Sequence, residues 1–167
     1  MGYTTDFEGS FTLDKPLTEA QAAYLKAFNE TRRMKRNADI AATMPDEKRL
    51  AVNLPIGVDA EYFTGGVGYM GQDRDDSVIE SNYPPSTQPS LWCQWIPSSD
   101  RTAIEWDDGE KFYHYVEWLE YIITHFLKPW GYTLNGTVKW FGEDKEDLGI
   151  IICDNNEVRA RQATISY

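Results

Sequence analysis

The sequence predicts an α+β fold, a mainly antiparallel sheet with two principal helices packed on one face. Three observations carry this prediction. Several short segments alternate apolar and polar residues, as half-buried strands do, whereas two longer segments have helical spacing and capping signals. The order of these segments lacks the regular βαβ alternation of a parallel sheet. With 167 residues and 41% hydrophobic content, the chain is expected to form a single domain over residues 1–167.

The first two elements are a strand and a helix. In residues 3–13, Phe7, Gly9 and Phe11 alternate with polar residues, which predicts a strand whose glycine is closely approached by another group. Thr18 and Gln21 then form a capping box. The helix that follows has one apolar stripe, and a basic cluster comes directly after it.

A hairpin and a second helix are predicted next. Residues 90–96 and 102–106 alternate as two strands around a turn that contains Pro97. Asp107 and Glu110 suggest another capping box, which predicts a helix over residues 107–128. Seven large residues form its apolar stripe: Phe112, Tyr115, Val116, Leu119, Ile122, Ile123 and Phe126.

The C-terminal third predicts an antiparallel meander of three strands, at residues 132–141, 148–153 and 158–165. An acidic loop separates the first two strands, and an Asp-Asn-Asn turn separates the last two. By contrast, residues 38–90 are rich in glycine and proline and predict a long irregular loop region. Such a region is typical of a functional or mobile loop.

The negative charge of the chain limits the kinds of molecule that it is expected to bind. The net charge is −11, and residues 100–157 contain 13 acidic against 5 basic residues. An acidic surface repels phosphates and attracts basic surfaces, so we expect a protein partner with a basic surface and no double-stranded nucleic acid. No apolar run is long enough to span a membrane, and the N-terminus lacks the pattern of an export signal, which favours a cytoplasmic location without membrane binding. Cys93 and Cys153 are expected to be buried thiols.

Aromatic residues exceed what a core of this size needs, because the chain has six tryptophans and ten tyrosines. Aromatic side chains are favoured at the centres of protein interfaces. Aromatic side chains also pack in cores, so each ring could lie either in the core or at a partner interface. The candidate partner-binding residues combine four aromatic with three acidic side chains: Trp92, Trp95, Trp118, Tyr121, Glu143, Asp144 and Asp147.

An alternative site would bind a nucleotide or a similar phosphate ligand. Gly66, Gly68 and Gly71 have the GxGxxG spacing that lets a backbone approach a pyrophosphate. No clear helix follows these glycines, so a tightly turning loop is the competing interpretation. The basic cluster consists of Arg32, Arg33, Lys35 and Arg36. It could contact phosphates, or it could simply complement the dipole at a helix end.

No metal, cofactor or catalytic residue is assigned from the sequence. His114 and Glu117 stand at i, i+3, but no third ligand accompanies them, which favours a partly exposed polar helix face. The acidic clusters at residues 73–76 and 143–147 do not match a calcium-binding loop. Whether the chain catalyses a reaction is left open.

Four segments resemble a group of small uncharacterised proteins of bacteria and their phages. These segments are GYTTDF at 2–7, LWCQW at 91–95, IEWDDGEKF at 104–112 and GED at 142–144. The resemblance implies a phage or mobile-element origin but no activity. Together with the acidic charge and the aromatic surplus, it favours a small cytoplasmic interaction protein, such as a phage-encoded modulator of a host protein.

Overall fold

The computed structural model describes residues 2–65 and 74–163. Contacts divide the chain into two compact units. The first comprises Met1–Leu17 and Gln94–Tyr167, and the second comprises Thr18–Cys93. We call them the sheet unit and the helical unit. The candidate glycines Gly66, Gly68 and Gly71 lie outside the described residues.

The described residues contain eight strands and four α-helices. The strands are β1 (Asp6–Leu13), β2 (Lys35–Arg36), β3 (Val78–Glu80), β4 (Trp95–Pro97), β5 (Ala103–Trp106), β6 (Leu134–Phe141), β7 (Leu148–Asp154) and β8 (Glu157–Gln162). The helices are α1 (Glu19–Glu30), α2 (Ala38–Ala41), α3 (Glu47–Ala51) and α4 (Tyr115–Ile122). None of the described helices is both long and apolar enough to cross a membrane.

Six strands of the sheet unit form one sheet in the order β4-β5-β1-β6-β7-β8. Every neighbouring pair is antiparallel. The α+β class with a mainly antiparallel sheet is therefore confirmed. The predicted meander is also confirmed as β6, β7 and β8, and Asn155 and Asn156 both have positive φ in the two-residue turn between β7 and β8. Asparagine tolerates this conformation, which is typical of tight hairpins.

Gly9 allows β1 and β6 to approach closely. It lies opposite Val138 and has a φ of +108°. A Cβ at this position would lie 2.8 Å from the Thr137 carbonyl oxygen. The prediction of a strand glycine under close approach is confirmed, because any side chain here would collide with the neighbouring backbone.

One face of the sheet builds an aromatic core within the sheet unit. Phe7 of β1 contacts four rings edge-on, with centroids 5.0–5.8 Å apart: Trp95, Trp106, Phe112 and Tyr115. Edge-to-face contacts of this kind add to the stabilisation from apolar burial. Helix α4 lies near both β4 and β8, the outermost strands of the sheet.

The second long helix begins later than predicted. Asp107 does not cap a helix; its side chain accepts a hydrogen bond from the Gly109 backbone at 2.8 Å. Asp108, Lys111 and His114 all have φ near +60°, which no right-handed helix can include. Helix α4 therefore starts at Tyr115, and a π-helical segment, Ile123–Leu127, extends it to the predicted end.

The predicted hairpin before this helix exists, but its first strand is shorter. Strand β4 covers only Trp95–Pro97 and pairs with β5, Trp95 facing Trp106. Residues 90–94 are not in a strand. The alternating sequence of this segment is therefore not accompanied by strand pairing.

In the helical unit, the capping box of α1 is confirmed. The Thr18 side chain accepts from the Gln21 backbone, and the Gln21 side chain accepts from the Thr18 backbone, both at 3.1 Å. The prediction of little regular structure over residues 38–90 needs correction, because α2, α3, a single 3₁₀ turn and β3 lie there. Each has five residues or fewer, too short to give a periodic sequence signal.

Candidate functional site

The predicted aromatic surface is mostly core. Trp95, Trp118 and Tyr121 are buried, with 1%, 0% and 6% of their surface exposed, and Trp92 is half-buried. The expectation that Trp118 lies away from the apolar side of its helix is wrong. In α4 the buried residues come in consecutive pairs, so the buried arc is wider than the predicted stripe. Partner contacts through these three rings would require the core to open.

The acidic candidate residues, unlike the aromatic ones, lie in a turn between two strands and are mostly exposed. Residues 142–147, which we call the acidic turn, connect the end of β6 to the start of β7. Glu143, Asp144 and Glu146 are exposed, and Asp147 is half-buried. The exposed carboxylates make no ion pair with any residue in the described ranges. Because no cation within the described ranges neutralises them, these carboxylates can pair with a cation from a partner.

Asp147 fixes the shape of the acidic turn. One carboxylate oxygen accepts from the Trp140 indole N–H at 3.0 Å, and the other accepts from the Tyr3 hydroxyl at 2.7 Å. Its backbone carbonyl accepts from Gly142 at 2.7 Å, which closes the turn. Because both oxygens of Asp147 are held by the fold, its role is to position the three exposed carboxylates.

The N-terminal segment ties down the same turn. The Tyr3 hydroxyl accepts from the Asp144 backbone at 3.1 Å, and the Thr4 backbone donates to Glu143 at 2.7 Å. The Asp144 N–H is the largest single influence on the pKa of the Tyr3 phenol and lowers it, but the hydrogen bond to the Asp147 carboxylate, burial and the negative charges of Asp147 and Asp144 together raise that pKa. The phenol therefore keeps its proton and acts as a donor to Asp147.

Two concave regions adjoin at this end of the sheet unit. An open cleft of about 630 Å³ is lined by Tyr3, Gln162 and residues 144–147 of the acidic turn. A second cavity of about 440 Å³ lies along β6, β7 and β8 and is more apolar, with Phe141, Leu148 and Ile150 in its wall. Gln162 borders both and donates to the Glu146 carbonyl at 3.1 Å. A charged cleft thus lies next to an apolar cavity.

The basic cluster of the helical unit is largely internal. Arg33 and Arg36 are each 2% exposed, whereas Arg32 and Lys35 are half-buried. Arg33 donates to the Glu61 carbonyl at 2.8 Å and lies over the Phe28 ring, and Arg32 donates to the Ser81 carbonyl at 2.9 Å. The last turn of α1 contains no basic residue, so the cluster does not complement the dipole of that helix from within it. Lys35 and Arg36 form β2, which pairs with β3.

Arg36 belongs to a partly buried ion pair. It donates to the Asp75 carboxylate at 2.8 Å and to the Ser77 hydroxyl at 2.8 Å. Burial would raise the pKa of Asp75, but the hydrogen bonds from Ser77 and Arg36 outweigh it and lower that pKa. A phosphate ligand would have to displace these protein partners. The geometry is that of a structural ion pair.

The remaining titratable groups do not assemble a catalytic constellation in the described part of the chain. His114 and Glu117 are 3.0 Å apart and exposed, as expected for a polar helix face. Residues 2–65 and 74–163 contain no group of three or more possible metal ligands. Both cysteines are buried thiols outside any disulfide, as predicted, and burial raises the pKa of Cys153 to about 11.

Sequence reasoning missed two residues that organise the candidate site, Tyr3 and Trp140. Their contacts to Asp147 link positions 144 and 7 residues apart. Trp140 carried a usable signal, since an indole at the end of a strand needs a hydrogen-bond partner when buried. Tyr3 carried none, because nothing local indicates that the N-terminus reaches the turn.

Comparison with known proteins adds no assignment. No protein-family model matches the sequence, and no curated protein or solved structure resembles it significantly.

Proposed function

We propose that the chain is a small cytoplasmic interaction protein that binds a basic partner through the acidic turn. In the setting that the resemblance implies, it is a phage-encoded modulator of a host protein. The observation that carries the proposal is a preformed cleft of about 630 Å³ beside exposed carboxylates that lack an internal ion pair among the described residues. A lysine or arginine side chain complements the exposed carboxylates of this cleft in charge.

The rigidity of the turn supports binding. Asp147, Tyr3 and Trp140 hold the turn through hydrogen bonds of 2.7–3.0 Å. Glu143 is held by the Thr4 backbone. A preformed site loses less conformational entropy on association than a flexible loop does. The acidic turn therefore presents its carboxylates at little ordering cost.

The neighbouring apolar cavity supplies a second recognition element. Its wall includes Phe141, which is 39% exposed, together with the half-buried Leu148 and Ile150. Interfaces gain most of their affinity from apolar or aromatic anchors that enter pockets, whereas charged rims direct association. The partner segment that fits both regions has a basic side chain close to an apolar one.

Charge also favours this partner class over a polyanion. The net charge of −11 attracts a basic protein over distances set by the ionic strength. Binding of a nucleotide has weaker support, because Arg33 and Arg36 are buried and already donate hydrogen bonds to protein oxygens.

The test compares capture of lysate proteins by three immobilised forms of the chain. In the turn variant, Glu143→Gln, Asp144→Asn and Glu146→Gln remove three charges and preserve side-chain shape. The control carries Glu30→Gln, Asp39→Asn and Glu47→Gln, which neutralise three exposed acids of the helical unit.

We expect one dominant basic protein on the wild type and on the control at low salt. The turn variant should lose it, and raising the salt should release it from the wild type. Equal retention on the turn variant, or no specific partner at low salt, would contradict the proposal.

A further inference from the structure

The two outermost strands of the sheet differ in how open they are to pairing. Strand β4 has three residues and ends at Pro97, which cannot donate a backbone hydrogen bond. Strand β8 has six residues without proline or bulge, and its register with β7 is unbroken. Among the described strands, β8 pairs only with β7. Its other side pairs with no described strand, which makes it the longest unpaired strand edge of the described sheet.

The hydrogen-bonding pattern between β7 and β8 shows which backbone groups of β8 point toward this edge. Ala163 donates to the Leu148 carbonyl at 2.8 Å. Because bonded pairs alternate along an antiparallel ladder, Arg161 and Arg159 also exchange hydrogen bonds with β7. The backbone groups of Val158, Ala160 and Gln162 therefore point away from β7. They offer three donors and three acceptors in strand geometry.

Two exposed cations mark the same edge. Arg159 and Arg161 are two residues apart, so their side chains leave the same face of the sheet, opposite Ile152 and Ile150 of β7. Neither arginine forms an ion pair with any residue in the described ranges. Toward an added strand both occupy non-hydrogen-bonded positions, where facing side chains come closest. The charge of the side chains that face these two arginines therefore determines whether an added strand pairs favourably with β8.

We propose that β8 accepts an extended segment of a partner protein as a seventh, antiparallel strand. The segment has carboxylates two residues apart that face Arg161 and Arg159. Backbone hydrogen bonds to Val158, Ala160 and Gln162 provide the pairing, and the two arginines provide the selection. A second copy of β8 is the competing occupant, and it would show itself as self-association without added peptide. This surface is separate from the acidic turn, and neither proposal depends on the other.

The probe is a fluorescein-labelled ten-residue peptide in which glutamate and valine alternate. A matched peptide has lysine in place of every glutamate. A third peptide keeps the glutamates but is N-methylated on the backbone amides that would donate to β8. Binding to the full chain is followed by fluorescence anisotropy at low salt. Every protein in this test, including the one that is wild type at positions 159 and 161, carries Glu143→Gln, Asp144→Asn and Glu146→Gln, so that the lysine peptide cannot bind the acidic turn.

The charge-reversed protein carries Arg159→Glu and Arg161→Glu. Its control carries Lys26→Glu and Lys48→Glu, the same charge change at two exposed residues of the helical unit. A milder variant, with both arginines changed to Gln, keeps the proposal testable if the reversed protein does not fold. Circular dichroism checks each fold.

Wild type and control should bind the glutamate peptide roughly tenfold tighter than the lysine peptide, since two cross-strand charge pairs change sign. The reversed protein should invert this order, the Gln variant should lose the preference, and N-methylation should abolish binding. Equal binding of both peptides, no binding to wild type, or undiminished binding after N-methylation would overturn the proposal. Self-association through β8 without peptide binding would overturn it too.

Discussion

Replacement of Leu119 by alanine tests the core of the sheet unit most simply. Leu119 is completely buried in α4, whereas the next residue, Glu120, is exposed. Leu119→Ala removes three carbon groups, worth about 2.4 kcal/mol at roughly 0.8 kcal/mol each. The cavity left behind adds a further cost, so we expect a total loss of about 3–5 kcal/mol in the free energy of unfolding.

Glu120→Ala is the matched control on the same helix. It removes no buried contact, so the free energy of unfolding should change by less than about 0.5 kcal/mol. Urea unfolding followed by tryptophan fluorescence and by circular dichroism measures both variants. Equal, small losses would refute the burial of Leu119 and with it the packing of α4.

Three further predictions concern a glycine, an ion pair and a thiol. Gly9→Ala should cost about 1–3 kcal/mol in urea unfolding, because the new Cβ would meet the Thr137 carbonyl 2.8 Å away at a φ of +108°; a neutral effect would refute the close approach. Folding lowers the pKa of Asp75, so its contribution to the free energy of unfolding should be present above pH 3.8 and decline as the pH falls through the folded-state pKa. The Asp75→Asn variant should be less stable than the wild type near neutral pH and should lose less stability on acidification. Parallel pH profiles of stability for the two proteins would count against the ion pair. Cys153, buried with a pKa of about 11, should react with a disulfide reagent at pH 8 only after urea is added, and rapid reaction of the folded chain would contradict this.

Local signals in the sequence predicted much of the sheet unit. Strand β1 with Gly9 and the β6-β7-β8 meander follow from alternation and turn residues that act over a few positions. The capping box of Thr18 and Gln21 is equally local. These elements were predictable because neighbouring residues alone determine them.

The misplaced start of the second helix has a different cause. Asp107 and Glu110 match a capping box, but the side chain of Asp107 bonds to Gly109 instead. Short polar side chains stabilise turns as readily as helix starts, and tertiary packing decides between them. Phe112, which is buried before the helix begins, joins the ring cluster around Phe7. Its burial was predictable, but its backbone conformation was not.

Of the candidate site, the exposed acidic residues were predictable from the sequence, but the burial of the aromatic and basic residues was not. The exposed acids Glu143 and Asp144 follow from composition and turn position. The burial of Trp118 and of Arg36 does not, because it depends on what the rest of the chain brings against them. The pairing of Arg36 with Asp75 joins residues 39 positions apart, and one sequence contains no sign of such a partner.

Hydrogen exchange of the captured complex tests the central claim most directly, because it locates the partner on the chain without a variant. Binding through the acidic turn predicts slower amide exchange at residues 141–148, around the charged cleft and its apolar neighbour, with little change in α1 and α3. Protection confined to residues 19–51 of the helical unit, with unchanged exchange in the acidic turn, would contradict the claim.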